Sequence, residues 1–287
     1  MSQSAVAVPQ DVYRSTLPAW AAAFFTAAAL LGLPGVILLF HREYQYFLLQ
    51  DIYLSGIIEV SAANTWHFVE ALITMVHFLC CGILSCGLLF AQKGKFYRGI
   101  HLLTTTAKWL LYGLYALGIF ALVMLAYRLI RYIFFAAQVN GGSYLILMTV
   151  LSEGLMAAAA FLVYTLLRRF LNTLLDNIVS IGYTISSGKL DSHSISSFTA
   201  TGLIGLAVVC LVLSVNHVFT LTIIDSFPQD YYKILVAERP AQYLAAASCV
   251  ACAAGNILLA AYLRRYKRKD ERFRYALRKE IMSDIRK

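Results

Sequence analysis

The sequence predicts an all-α, polytopic integral membrane protein: a helical bundle with six transmembrane helices and a basic cytoplasmic C-terminal amphipathic helix. The first observation is composition, because the 287 residues are 60% hydrophobic and only 14% charged. A soluble domain carries about 45–50% apolar and about 25% charged residues. Such an excess cannot all be buried in one water-soluble core, and it also excludes disordered, collagen-like and small disulfide-stapled chains.

The second observation is a set of six apolar stretches, each close to the roughly 20 residues that a helix needs to cross a bilayer. Their apolar runs are unbroken rather than alternating, which favours helices over barrel strands. Together they define a transmembrane domain over residues 1–263, followed by a basic tail over 264–287. The predicted spans cover residues 18–40, 66–91, 109–127, 144–167, 198–223 and 241–263.

Aromatic residues mark the ends of these spans. Trp20, Trp66 and Trp109 each lie within three residues of the start of a span, as expected of an interfacial aromatic belt. The first span is too long for the apolar core of a cleaved signal peptide, and the segment before it is nearly uncharged. We therefore expect it to remain as a membrane anchor.

The third observation is the distribution of cations, which sets the orientation. With the N-terminus inside, the inner segments hold 19 of the 24 Lys and Arg residues and the outer loops hold five. Cytoplasmic segments carry the excess of Lys and Arg. The sequence therefore predicts an integral protein of a bacterial cytoplasmic membrane, with both termini in the cytoplasm.

Two inner connectors are basic, 92–107 and the longer 168–197. Within the second, apolar residues between Phe170 and Ile185 recur at helical spacing. This segment either continues the fourth span into the cytoplasm or lies along the membrane interface. Alternatively, it is a helix end that packs under the bundle.

Polar residues at membrane depth are the candidate functional residues, because ionisable groups there are rare and costly. Steps of three and four residues place those of span two on one helical stripe. Three further spans contribute the others. The candidate polar seam consists of His67, Glu70, Thr74 and His77 in span two, Glu153 in span four, Asn216 and His217 in span five, and Asn256 in span six.

Four interpretations of this seam stay open. A carboxylate flanked by imidazoles relays protons or binds a cation, and His with Glu binds a divalent transition metal. A pair such as His77 and His217 has the chemistry of axial haem ligands. In the fourth interpretation, His67 is interfacial and Glu70 hydrogen-bonds a neighbouring helix. No cofactor is predicted, and the identity of any metal is left open.

All six cysteines lie within the predicted spans, and none lies in an outer loop. The pattern therefore indicates no extracytoplasmic disulfide framework. Cys249 and Cys252 have the spacing of a redox or zinc motif, but they lie in an Ala-rich apolar helix. We interpret them as small buried hydrophobes.

The tail concentrates positive charge directly after span six. Its first cations attract anionic lipid headgroups at the cytoplasmic face, and they are Arg264, Arg265, Lys267, Arg268 and Lys269. Beyond Tyr266, apolar residues recur at mostly four-residue steps up to Ile285, which predicts an amphipathic helix. Such a helix anchors to lipid or docks a membrane or cytoplasmic protein partner. Nucleic-acid binding is not expected, because the topology rule already accounts for the charge.

Common enzyme signatures for nucleotide binding, zinc hydrolysis and nucleophile elbows are absent from the sequence. The leading hypothesis is a non-enzymatic membrane protein that moves or gates a small solute or ion, alone or within an assembly. The second is a scaffold or regulatory subunit that docks a cytoplasmic partner through its tail. The third is a membrane-embedded metal or haem redox protein.

Overall fold

Long α-helices account for nearly all of the structure, a computed structural model that describes residues 15–52, 78–138, 142–187, 195–224 and 229–285. These residues contain no strand, which confirms the predicted all-α class for the described part of the chain. The helices, in order, are α1 (Leu17–Ile52), α2 (described over Phe78–Gln92), α3 (Phe96–Ala137), α4 (Gly142–Ser187), α5 (Ser197–Ile224) and α6 (Gln229–Ile285).

Five of these helices are long and apolar enough to cross a membrane. The apolar stretches are Leu17–Pro34, Phe96–Phe135, Ile146–Ser187, Ser197–Phe219 and Tyr243–Ala276, and each overlaps one predicted span. The described part of α2 is shorter, and the first half of predicted span two, residues 66–77, lies outside the described residues. Five spans therefore have a matching helix, whereas the count of six stays a prediction.

Four helices extend well beyond their predicted spans, and three of them have more than 40 residues. At about 1.5 Å per residue, α3 with 42 residues is about 63 Å long, twice the roughly 30 Å of a hydrocarbon core. Helices α4 and α6, with 46 and 57 residues, are longer still. No proline occurs between residues 35 and 227 or after Pro240. Without an internal proline, helix covers residues 96–107 and 168–187 of the two basic connectors and continues in the tail as far as Ile285.

Helix α6 lies at the centre of the bundle and packs extensively against α1 and α5. Small buried residues, among them Ala22, Ala28 and Ala253, allow these backbones to approach closely. Buried hydroxyls add links between helices. Ser248 donates to the Ala28 carbonyl at 2.7 Å, and Ser85 of α2 donates to the Ala22 carbonyl at 3.0 Å.

Helices α3 and α4 form a hairpin that packs mainly upon itself, with a smaller contact between α4 and α5. Its outer faces carry large exposed apolar side chains, including Phe120, Phe134 and Phe161. An exposed apolar surface of this extent would be a liability in water, but it matches the acyl chains of a bilayer. The outer faces of the hairpin are therefore suited to contact with lipid.

Candidate functional site

A cavity of about 1360 Å³ lies between the α3–α4 hairpin and the other helices. Ligand pockets for drug-sized molecules are usually about 300–1,000 Å³, so this one is large. All six described helices contribute to its wall. The wall takes individual residues from within 15–25 at the start of α1, 84–94 around the end of α2, 96–117 of α3, 167–185 of α4 and 256–263 of α6, together with Leu203 and Leu206 of α5.

These segments share one end of the bundle. They include the N-terminal part of α1, the α2–α3 turn and the C-terminal half of α4. In the predicted topology this end faces the cytoplasm, because the basic connectors join the helices there.

A tight turn positions one edge of the cavity. Helix α2 ends in a Schellman-type cap, in which Gly94 has a positive φ of 79° and the Lys95 amide donates to the Phe90 carbonyl at 3.0 Å. Gly87 and Gly99 then let α2 and α3 touch. A Cβ on Gly99 would lie 2.6 Å from the Gly87 carbonyl oxygen. The turn therefore has a defined geometry, and Lys93 at its start lines the cavity.

The buried polar side chains of the wall use their hydrogen bonds within the protein. Thr106 Oγ1 donates to the Leu102 carbonyl at 2.8 Å, and Asn256 Nδ2 donates to the Cys252 carbonyl at 3.0 Å. Asn177 makes the largest set. Its amide donates to the Ser196 carbonyl and to Thr199 Oγ1, and its oxygen accepts from the Ser196 amide. The cavity is therefore surrounded mainly by hydrocarbon.

Gly113 of α3 provides open space at this wall. A Cβ built on Gly113 meets no heavy atom within 4 Å, although the residue lines the cavity. Gly113 is exposed, so the first atoms of a larger side chain at this position would meet no neighbouring helix.

No protein-family model matches the chain, and neither a curated protein nor a solved structure is similar to it.

The predicted polar seam is only partly described. The stripe of span two, His67, Glu70, Thr74 and His77, lies outside the described residues. The proposed pairing of His77 with His217 as haem ligands therefore stays a prediction. Within the described residues, no group of three or more His, Cys, Asp or Glu side chains is arranged to hold a metal ion.

The other members of the seam lie in different surroundings. Glu153 is buried, with 5% of its surface exposed, whereas Asn216 is exposed and His217 is half-buried on α5. Asn256 is buried and is the only one of these four that lines the cavity. The described part of the seam therefore does not form one continuous polar path along the cavity.

The basic tail continues α6 without interruption as far as Ile285. Four of its first five cations are exposed, and the fifth, Lys267, is half-buried and lies 3.6 Å from Glu271. Its opposite face packs on the bundle. Tyr266 is buried against Ile195, and Phe273 packs on the same cluster. One face of the first turns of the tail is therefore covered by the protein itself. The C-terminal part of α4 is covered in the same way, because Phe170 packs against α5 and α6.

Sequence reasoning missed the cavity and one close thiol pair. Cys81 Sγ of α2 lies 3.8 Å from Cys252 Sγ of α6, and both residues are buried. The predicted interpretation of the cysteines as small hydrophobes concerned each residue singly. Spacing along the chain carries no signal for a pair 171 residues apart.

Proposed function

We propose that the protein is a non-enzymatic integral membrane protein that binds an amphiphilic small molecule between its helices and moves it within the membrane. The observation that carries this proposal is the cavity of about 1360 Å³ with its mainly apolar wall. Apolar cavities stay dry and take apolar ligands. A long hydrocarbon chain therefore fits this wall better than a hydrated ion, whose path needs polar or charged ligands.

The arrangement of the helices supports movement of the bound molecule. The α3–α4 hairpin forms one side of the cavity. It meets the rest of the bundle through a small α4–α5 contact, the packing of Phe170 on α5 and α6, and the close approach of α2 and α3 at Gly87 and Gly99. A small displacement of such a hairpin opens or closes the cavity towards lipid without disrupting the α1–α5–α6 core. Domain and helix movements of this kind occur on microsecond to millisecond timescales.

The topology belongs to the same proposal. We place six helices across a cytoplasmic membrane, with both termini inside, because of the cation distribution. The exposed cations after Leu263 then lie at the level of anionic headgroups, where each contributes about 1 kcal/mol of attraction. This basic face is anchored to lipid, while the opposite face packs on the bundle.

The test places a large side chain in the cavity and measures the effect on lipid movement. Gly113→Trp places an indole in the open space, whereas Gly205→Trp adds the same side chain to another open position, on α5 and outside the cavity wall. Wild-type protein in liposomes should accelerate the transbilayer movement of a chain-labelled phospholipid, followed by quenching of the outer leaflet. Phosphatidylcholine and phosphatidylglycerol are measured in parallel.

We expect Gly113→Trp to reduce this movement at least fivefold and Gly205→Trp to leave it within twofold of the wild type. Equal rates for the two variants and the wild type, or a wild-type rate equal to that of protein-free liposomes, would contradict the proposal. Size-exclusion profiles in detergent verify that all three proteins are folded.

A further inference from the structure

The charge at the cavity wall is of one sign. Among the described residues that line the cavity, Lys93 is the only charged one. No Asp or Glu occurs between Glu70 and Glu153, so neither the described part of α2 nor α3 carries an acid. On the lining stretch of α4, Asp176 is exposed and is not part of the wall.

The backbone of Lys93 has a defined position, and its side chain is exposed. Its amide donates to the Leu89 carbonyl at 3.0 Å, and the Schellman-type cap at Gly94 follows directly. Gln92 and Gly94 line the cavity beside it. Two more exposed cations, Lys95 and Arg98, follow in the same turn and the first turn of α3. This edge of the cavity therefore has a positive potential that no neighbouring acid in the segment offsets.

An amphiphile whose chains fill the apolar wall has its headgroup at the polar edge, because burying that group in hydrocarbon without partners is costly. At this edge a cation favours an anionic headgroup by direct Coulomb attraction. The cavity volume favours a ligand with two hydrocarbon chains over a ligand with one, because it exceeds the volume of a typical pocket for a drug-sized ligand.

We propose that the ligand is a two-chain anionic lipid whose headgroup is recognised by Lys93 at the α2–α3 turn. This inference rests on the proposed function, because it names the ligand of the same cavity. It makes Lys93 a specificity-determining residue rather than only a cation required by the membrane topology.

The experiment measures which lipid the purified protein retains. Protein is equilibrated in mixed micelles with equal amounts of phosphatidylglycerol and phosphatidylcholine of identical chains, and retained lipid is quantified by mass spectrometry. Lys93→Gln removes the charge and Lys93→Arg keeps it. Lys108→Gln is the matched control, since Lys108 is an exposed cation of α3 that does not line the cavity.

We expect the wild type, Lys93→Arg and Lys108→Gln to retain phosphatidylglycerol preferentially. Lys93→Gln should reduce the ratio of phosphatidylglycerol to phosphatidylcholine about fivefold, the effect of one headgroup–cation contact. A wild-type ratio of one, or an equal loss in Lys93→Gln and Lys108→Gln, would overturn the inference. Retention of both lipids without preference, sensitive to Gly113→Trp, would still leave the proposed function standing.

A third arm adds oleate at the same concentration, which separates a single-chain carboxylate from a two-chain phospholipid. Continued retention of phosphatidylglycerol supports a two-chain ligand. Displacement by oleate would overturn that part of the inference. Retention of no lipid by any variant would contradict the proposed function itself.

Discussion

Single polar side chains determine how the helices of this bundle meet. Asn177 is the clearest case, because one buried amide of α4 satisfies both backbone groups of Ser196 and the hydroxyl of Thr199 at the start of α5. Ser196 in turn accepts the Phe198 amide and so caps α5. Asn177 is therefore one of the residues that hold α4 against α5, together with the apolar contact of Phe170.

Asn177→Ala should lower the free energy of unfolding by about 2 kcal/mol, since it removes the Asn177 partner of the buried Thr199 hydroxyl and of the half-buried Ser196 backbone groups. Titration with a denaturing detergent, followed by circular dichroism, measures this change. Asp176→Ala is the control, because the neighbouring Asp176 is exposed. An equal effect of the two substitutions would show that the Asn177 network does not hold α4 to α5.

For single residues, the sequence showed which positions are polar but not which other residues they contact. The membrane depth of Asn256 and Glu153 made both candidate functional residues; both are buried, and their functional role stays a prediction. Asn177 was not selected, because it fell in a basic connector where an Asn is ordinary. Its importance comes from a contact with α5, 19 residues away, that no local pattern reports.

For whole helices, the sequence predicted the apolar segments but not the helix ends. Apolar length located five helices, because crossing hydrocarbon imposes a minimum length that sequence reveals directly. It did not locate their ends. The connector 92–107 was expected to separate two spans, yet only Lys93–Lys95 is not helical, and Phe96 already begins α3. Charge ends a membrane span but does not end a helix, whereas a residue such as Gly94 does.

The contact between α2 and α6 supports a prediction about the packing of these two helices. In a variant that keeps only Cys81 and Cys252, with the other four cysteines changed to Ala, a membrane-permeant mild oxidant should form an intrachain disulfide. The two sulfurs already lie 3.8 Å apart, and a small side-chain rotation brings them to bonding distance.

A protease site inserted between Ser187 and Ile195 makes the crosslink visible, because the two fragments then stay together on non-reducing gels. The matched control keeps Cys86 and Cys252 instead, since Cys86 is exposed on the other side of α2. Separate fragments for the Cys81 variant, or equal crosslinking of both variants, would contradict the described packing of α2 on α6.

The whole molecule combines an apolar exterior with an apolar interior space. Composition predicted the exterior, because 60% hydrophobic residues exceed what one core can bury. The cavity could not be predicted, since it arises where the long α3–α4 hairpin diverges from the α1–α5–α6 core. Gly113 illustrates why sequence alone does not reveal the cavity. A single glycine in an apolar helix gives the same sequence signal whether it faces lipid, a neighbouring helix or open space.

The central claim is that this cavity holds a hydrocarbon ligand, and native mass spectrometry of protein purified in mild detergent tests it most directly. We predict at least one bound lipid per chain for the wild type and for Gly205→Trp, and none for Gly113→Trp, whose indole occupies the space. A wild-type protein without bound lipid, or the same bound lipid in Gly113→Trp, would contradict the account.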